Sequence, residues 1–116
     1  MVIPLPQLVQ RFDIYLPLRY NDGMMIPEEH YRQVEFELVE RFSGVTMIEQ
    51  RNPLKGVWKF QNRHYVDEII IVTTLDFHYS SEGHQSEQFF IDYKEKLKQR
   101  FEQLDILIIA QTVTVI

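Results

Sequence analysis

Apolar residues recur at every second position between Gln10 and Arg19. Phe12, Ile14, Leu16 and Leu18 fall on one side, and Arg11, Asp13, Tyr15 and Arg19 on the other. A period of two predicts a half-buried strand. The stretch YNDG (residues 20–23) then predicts a turn. Beyond it the period lengthens. Pro27 suits a first helical position, and Glu28 and Glu29 suit the positive end of the helix dipole. Tyr31, Val34, Leu38 and Phe42 form one helical stripe. Gly44 follows as a candidate left-handed stop.

The remaining pattern completes a second, similar half. Residues 45–50 (VTMIEQ) read as a strand that RNPLKG breaks and VWKF resumes. QNRH (61–64) is the expected hairpin turn, and Tyr65 to Phe77 a long strand rich in β-branched residues. HYSSEGHQ reads as a loop. Ser86 is the expected N-cap of a second helix with the stripe Phe90, Tyr93, Leu97, Phe101 and Leu104. Asp105 to Ile116 is the last strand. The order β-α-β-β-α-β, with its second strand interrupted, predicts an α+β ferredoxin-like two-layer sandwich. One domain is expected over 1–116, with an irregular segment over 1–9, an antiparallel sheet in the order 4-1-3-2, and both helices on one face.

That layout leaves one sheet face without helices. Alternation puts Phe12, Ile14, Leu16, Leu18, Ile69, Ile71, Leu75 and Phe77 on the helix side. Tyr15, Val66, Ile70 and Val72 are expected on the other. The last strand is apolar both ways, with Ile106, Ile108 and Ala110 against Leu107 and Ile109. Apolar surface left bare, and an apolar edge strand, both invite a partner. A homodimer through the open face or the last strand is the expectation.

Composition narrows the function without naming one. The net charge of −5 argues against nucleic acid or an anionic membrane as the partner. The absence of cysteine excludes disulfides, thiol nucleophiles and Cys-ligated metal sites, and fits a reducing, cytoplasmic setting. The opening MVIPLPQLVQR lacks a basic leader, so no signal peptide is expected. KGVWKFQN (55–62) matches only the first two positions of the RNA-binding pattern K/R-G-F/Y-G/A-F-V-x-F/Y. The acidic run of the first helix (Glu28, Glu29, Glu35, Glu37, Glu40) faces the basic run of the second (Lys94, Lys96, Lys98, Arg100). These are expected to attract weakly as solvated surfaces.

Two places carry candidate chemistry. Near the end of the first strand, Arg19, Asp22 and His64 are candidate catalytic residues. Tyr15, Tyr20, Trp58 and Tyr65 are candidate ligand-binding residues around them. The competing expectation pairs Arg19 with Asp22 or Glu68 and leaves the aromatics to close the core. With Asn62–Arg63 as the hairpin tip, Phe60 would face Tyr65 and Trp58 would face Asp67. Trp58 would then share the row of Ile69 and Ile71 and pack beneath the helices. In DFHYSSEGH, His78 and His84 are weak metal-ligand candidates without the helical spacing of a built site, so neither metal nor cofactor is expected. No serine lies in a nucleophile elbow, and no glycine-rich phosphate loop is present.

The segments LRYNDG, IPEEHY, ERFSGVT, KGVWKF, DEIIIV and YKEKLKQRFEQLDILI together resemble a family of small bacterial ferredoxin-like proteins of unknown function. The shared features are a D-G turn, a helix ending in R-F-x-G-x-T, a G-x-W, and a closing Y-K-x-x-[LF]-x-x-x-F. The resemblance implies the fold and no catalytic residues. The expected function is a non-catalytic, homodimeric module that binds a protein or a ligand. The alternative is a small cofactorless enzyme of the dimeric α+β barrel type, with its site near Arg19, Trp58 and His64.

Overall fold

A computed structural model of the chain describes residues 6–42, 44, 46–48, 54–60, 63–78 and 85–116, without the side chains of 46–48, 54–60, 63–67 and 85. The elements are β1 (Gln7–Pro17), α1 (Glu28–Phe42), β2 (Thr46–Ile48), β3 (Leu54–Phe60), β4 (Arg63–Asp76), α2 (Gln85–Arg100) and β5 (Leu107–Val115). The five strands form one antiparallel sheet in which β2, β4, β1 and β5 are neighbours in that order, and β3 pairs with β4. Strand β1 starts three residues before the expected alternation, because Gln7, Leu8 and Val9 pair with Val115, Thr114 and Val113. The segment expected to be irregular over 1–9 is therefore strand from Gln7. Among the described residues, no helix is long and apolar enough to cross a membrane.

The core lies between one face of the sheet and the two helices. Phe12, Ile14, Leu16, Ile70 and Val72 supply the sheet side. Tyr31, Val34 and Leu38 from α1, and Phe90, Tyr93 and Leu97 from α2, supply the helix side, with Phe101 just beyond. Phe12 stacks on Phe90 at 4.0 Å between ring centroids, and Phe42 stacks on the same ring at 5.4 Å. The Tyr31 hydroxyl donates to the carbonyl of Pro17 at 2.5 Å, tying α1 to the end of β1. Its burial and the neighbouring Tyr20 push that phenol well above the ordinary tyrosine range.

The expected phase of the long strand is inverted. Ile14 sits opposite Val72 and Leu16 opposite Ile70, so Ile70 and Val72 join the core. Ile69, Ile71 and Leu75 lie on the other face, as does the position of Phe77 by alternation. The cause is the run Ile69–Val72, which is apolar at every position. Alternation has no contrast there, and a one-residue change of phase flips the whole strand.

The helix ends also differ from expectation. Gly44 does not take the left-handed conformation; its carbonyl accepts a 2.7 Å hydrogen bond from the Thr74 hydroxyl. The left-handed position after a helix falls instead on Glu102, with φ 52°. There Glu102 N–H donates to the Gln99 carbonyl and Gln103 N–H to the Lys98 carbonyl, the paired bonds of a Schellman motif. This stop turns the chain so that Leu104, expected in the buried stripe, is 67% exposed. Ser86 is inside α2 rather than capping it, and its hydroxyl donates to the Asp76 carboxylate. The YNDG turn forms as expected: Gly23 has φ 90° and donates to the Tyr20 carbonyl at 2.9 Å.

Candidate functional site

The helices cover one face of the sheet, and the chain's most unusual surface is the other. Alternation along the paired strands places Arg11, Asp13 and Tyr15 of β1 on this open face. It adds Ile69, Ile71, Thr73 and Leu75 of β4, and Leu107, Ile109, Gln111 and Val113 of β5. Leu107 is 55% exposed and Ile109 38% exposed. Tyr15, half-buried, lies between Ile71 and Leu107. A sheet face that meets only water is polar. Among the described residues, this one is a band of aliphatic side chains with Tyr15 as its aromatic.

Beside Gln111, a polar knot interrupts that band. The Asp13 carboxylate is buried although it is on the open face. It accepts the Arg11 Nε–H at 3.1 Å and the Thr73 hydroxyl at 2.6 Å. These charge-assisted bonds satisfy a carboxylate that burial would otherwise penalise. The pair also neutralises itself, so the centre of the face carries no net charge while the chain carries −5.

The candidate cluster at the end of β1 separates into smaller contacts. Arg19 donates to the Gly23 carbonyl at 3.1 Å and lies 3.8 Å from the Glu68 carboxylate, both partners about half exposed. Asp22 accepts the Met24 N–H at 2.9 Å and braces the turn. Tyr20 packs partly against the core, and Tyr15 sits on the open face. On the backbone, Trp58 pairs with Tyr65 and His64 with Lys59; Phe60 pairs with Arg63, so the hairpin turns one residue earlier than expected. The side chains of Trp58, His64 and Tyr65 lie outside the described residues. The row expected to hold Trp58, that of Ile69 and Ile71, is the open-face row, so register gives no reason to pack it beneath the helices. Glu68 lies four positions along β4 from His64, about 13 Å of extended strand. The exposed His78 donates its backbone N–H to Asp76 at 2.9 Å. His84 lies outside the described residues, among which no metal-holding cluster of His, Asp and Glu occurs.

Sequence reasoning missed one specific contact between the helices. Arg100 grips Glu37 through two bonds, Nη1 to Oε1 at 2.6 Å and Nη2 to Oε2 at 3.1 Å. The Tyr93 hydroxyl adds a third at 3.0 Å. Burial pushes the Glu37 carboxyl up, but these bonds and the charges of Arg100 and Lys96 outweigh it and hold the group below the usual carboxylate range. Burial and Glu37 together push the Tyr93 phenol well up. The opposite charges of the helices signalled attraction. Which pair would meet was not readable, because it depends on how far α2 is advanced along α1.

No family model matches the chain, and no curated protein does. Solved structures do. The chain is similar to a phage SAM lyase in complex with S-methyl-5′-thioadenosine, with TM-score 0.65, 12% identity, and 92% of this chain and 88% of that chain covered. It is similar to a phage SAM lyase in the apo state, with TM-score 0.62, 13% identity, and 100% and 91% covered. It is also similar to the divalent cation tolerance protein (Cut A1) from Thermus thermophilus, with TM-score 0.56, 16% identity, and 92% and 84% covered. At these identities the likeness is one of fold: the chain has a small α+β fold of the ferredoxin-like kind.

Proposed function

We propose that this chain is a non-catalytic assembly module that associates with a second copy of itself through the side of the sheet its helices leave bare. Reading β2 and β3 as one interrupted strand, the pairing of β5 with β1, of β1 with β4, and of β4 with both β2 and β3 supports the 4-1-3-2 order of a ferredoxin-like sandwich. Such a sandwich shields one sheet face. The observation that carries the proposal is the aliphatic band on the other, with Leu107 and Ile109 exposed at its β5 margin. Contiguous apolar surface of this kind marks an interaction site. Charge favours a second copy as the occupant. Two chains of net charge −5 repel overall, and the described part of the open face adds nothing to that repulsion, because the ion pair found there is internally balanced. Sedimentation of the protein and of Ile109→Lys tests this. The parent should sediment as a dimer or a larger closed assembly and the variant as a smaller species. A parent that sediments as a monomer at micromolar concentration would refute the proposal.

The likeness to a lyase motivates a second reading, a small cofactorless enzyme with its site at the Arg19 end. The observation in its favour is that the Arg19 side chain is 51% exposed, held only by Glu68 and the Gly23 carbonyl among the described residues. A rise in Tm with S-methyl-5′-thioadenosine that is lost in Arg19→Ala supports that reading; no rise removes it.

A further inference from the structure

Strand β5 is the last strand of the sheet on its side, and its outer edge has no partner among the described residues. Edges left to solvent are normally guarded by lysine, proline or a bulge. The opposite edge fits that rule, since β3 carries Lys55 and Lys59. Over Leu107–Val115, β5 reads LIIAQTVTV, with no charge, no proline and no glycine. Its pairing with β1 runs unbroken from Leu107 to Val115, so no bulge twists it away.

The sequence of β5 is also self-complementary when run against itself. An antiparallel pair of identical edges has its two-fold axis perpendicular to the sheet, so each face continues across the seam. With the axis at Gln111, Leu107 meets Val115 of the second copy, and Ile109 meets Val113. On the other face Ile108 meets Thr114, and Ala110 meets Thr112. Gln111 meets itself. It is the only polar residue among the open-face positions Leu107, Ile109, Gln111, Val113 and Val115. A carboxamide both donates and accepts, so two of them related by a two-fold axis satisfy each other. A slip of two residues along the seam would set that amide against Ile109 or Val113. One polar position in an apolar row fixes a register in this way.

We infer that copies of the chain also join by antiparallel β5–β5 edge pairing with the two-fold axis at Gln111, a seam distinct from the face contact proposed above, which makes one continuous sheet and widens the open face available to that contact. The inference rests on the self-association proposed above and adds a second seam and its register.

The chain has no cysteine, so each single-cysteine variant reports one position. Directly opposed residues in an antiparallel pair have Cα atoms about 4.5–5.5 Å apart, within disulfide reach. In this register two copies of Leu107 lie about 27 Å apart along the seam. Under mild oxidation Gln111→Cys should form covalent dimers at least tenfold faster than Leu107→Cys or Val115→Cys. Gln111→Lys, with like charges opposed on the axis, should weaken association at least tenfold. Gln99→Lys, on the exposed surface of α2, should leave it unchanged, with circular dichroism confirming that each variant is folded. An oligomeric parent with equal cross-linking at all three positions overturns the β5 seam and leaves self-association standing. A monomeric parent overturns both.

Discussion

Replacing Glu37 by Gln removes the charge from the contact that joins the helices while keeping its shape. In the parent the carboxylate accepts two bonds from Arg100, at 2.6 and 3.1 Å, and one from Tyr93 at 3.0 Å. A hydrogen bond to a charged group contributes about 1.5–3 kcal/mol net when buried. Here the Glu37 side chain is 27% exposed and that of Arg100 15%, and the amide retains one acceptor. Solvent screening and that retained contact bring the expected loss to about 1–2 kcal/mol for the variant. Unfolding entropy of about 2.1 cal/mol/K per residue makes 1 kcal/mol worth about 4 °C for a chain of this length. Calorimetry at pH 7 and one fixed protein concentration should therefore show Tm lower by about 4–8 °C. The pH dependence gives the sign. The folded Glu37 pKa lies below its unfolded value, so its contribution is complete above about pH 4.3 and is lost as pH falls through the folded pKa. The gap between parent and Glu37→Gln should narrow in that acid range. A variant within about 0.5 kcal/mol of the parent at pH 7, or a gap unchanged down to pH 2, would refute the assignment of a stabilising ion pair.

Glu102→Gly should raise stability by about 0.5–1 kcal/mol, because glycine accepts the left-handed position that a side chain resists. Gly44→Ala is the counterpart: that glycine is not left-handed and has open space at its Cβ position, so alanine should be neutral or slightly stabilising in urea titrations. Phe12→Ala should cost about 3–5 kcal/mol in the same titrations, since the ring is 1% exposed and stacked on Phe90.

The parts of this fold that were legible in the sequence are those where pattern and chemistry agree. Phe12, Ile14 and Leu16 alternate with Arg11, Asp13 and Tyr15, and that contrast sets the phase of β1. The stripe Tyr31, Val34 and Leu38 does the same for α1, and the Asn-Asp-Gly turn has little else it can form. Legibility fails where contrast fails. Ile69 to Val72 are apolar on both faces, so only pairing with β1 decides which of them meet the helices. The end of α2 was hidden because glutamate, not glycine, takes the left-handed position, while the conspicuous Gly44 does not. Of the candidate site, the open apolar face could be anticipated from alternation and strand order, though its β4 members were exchanged with those of the core. The Asp13–Thr73 contact could not, because it joins residues 60 apart whose opposition is fixed only by strand register. The cluster of Arg19, Asp22 and His64 assumed that residues near a strand end converge. The structure gives Arg19 and Asp22 local partners in the turn and on Glu68.

The central claim is that the bare side of the sheet is covered by another copy of the chain. Light scattering coupled to size-exclusion chromatography at micromolar concentration measures this most directly. The account predicts a particle of at least twice the 14.0 kDa chain mass, falling toward one chain mass in Ile109→Lys. A single 14.0 kDa species for the unmodified protein would contradict it.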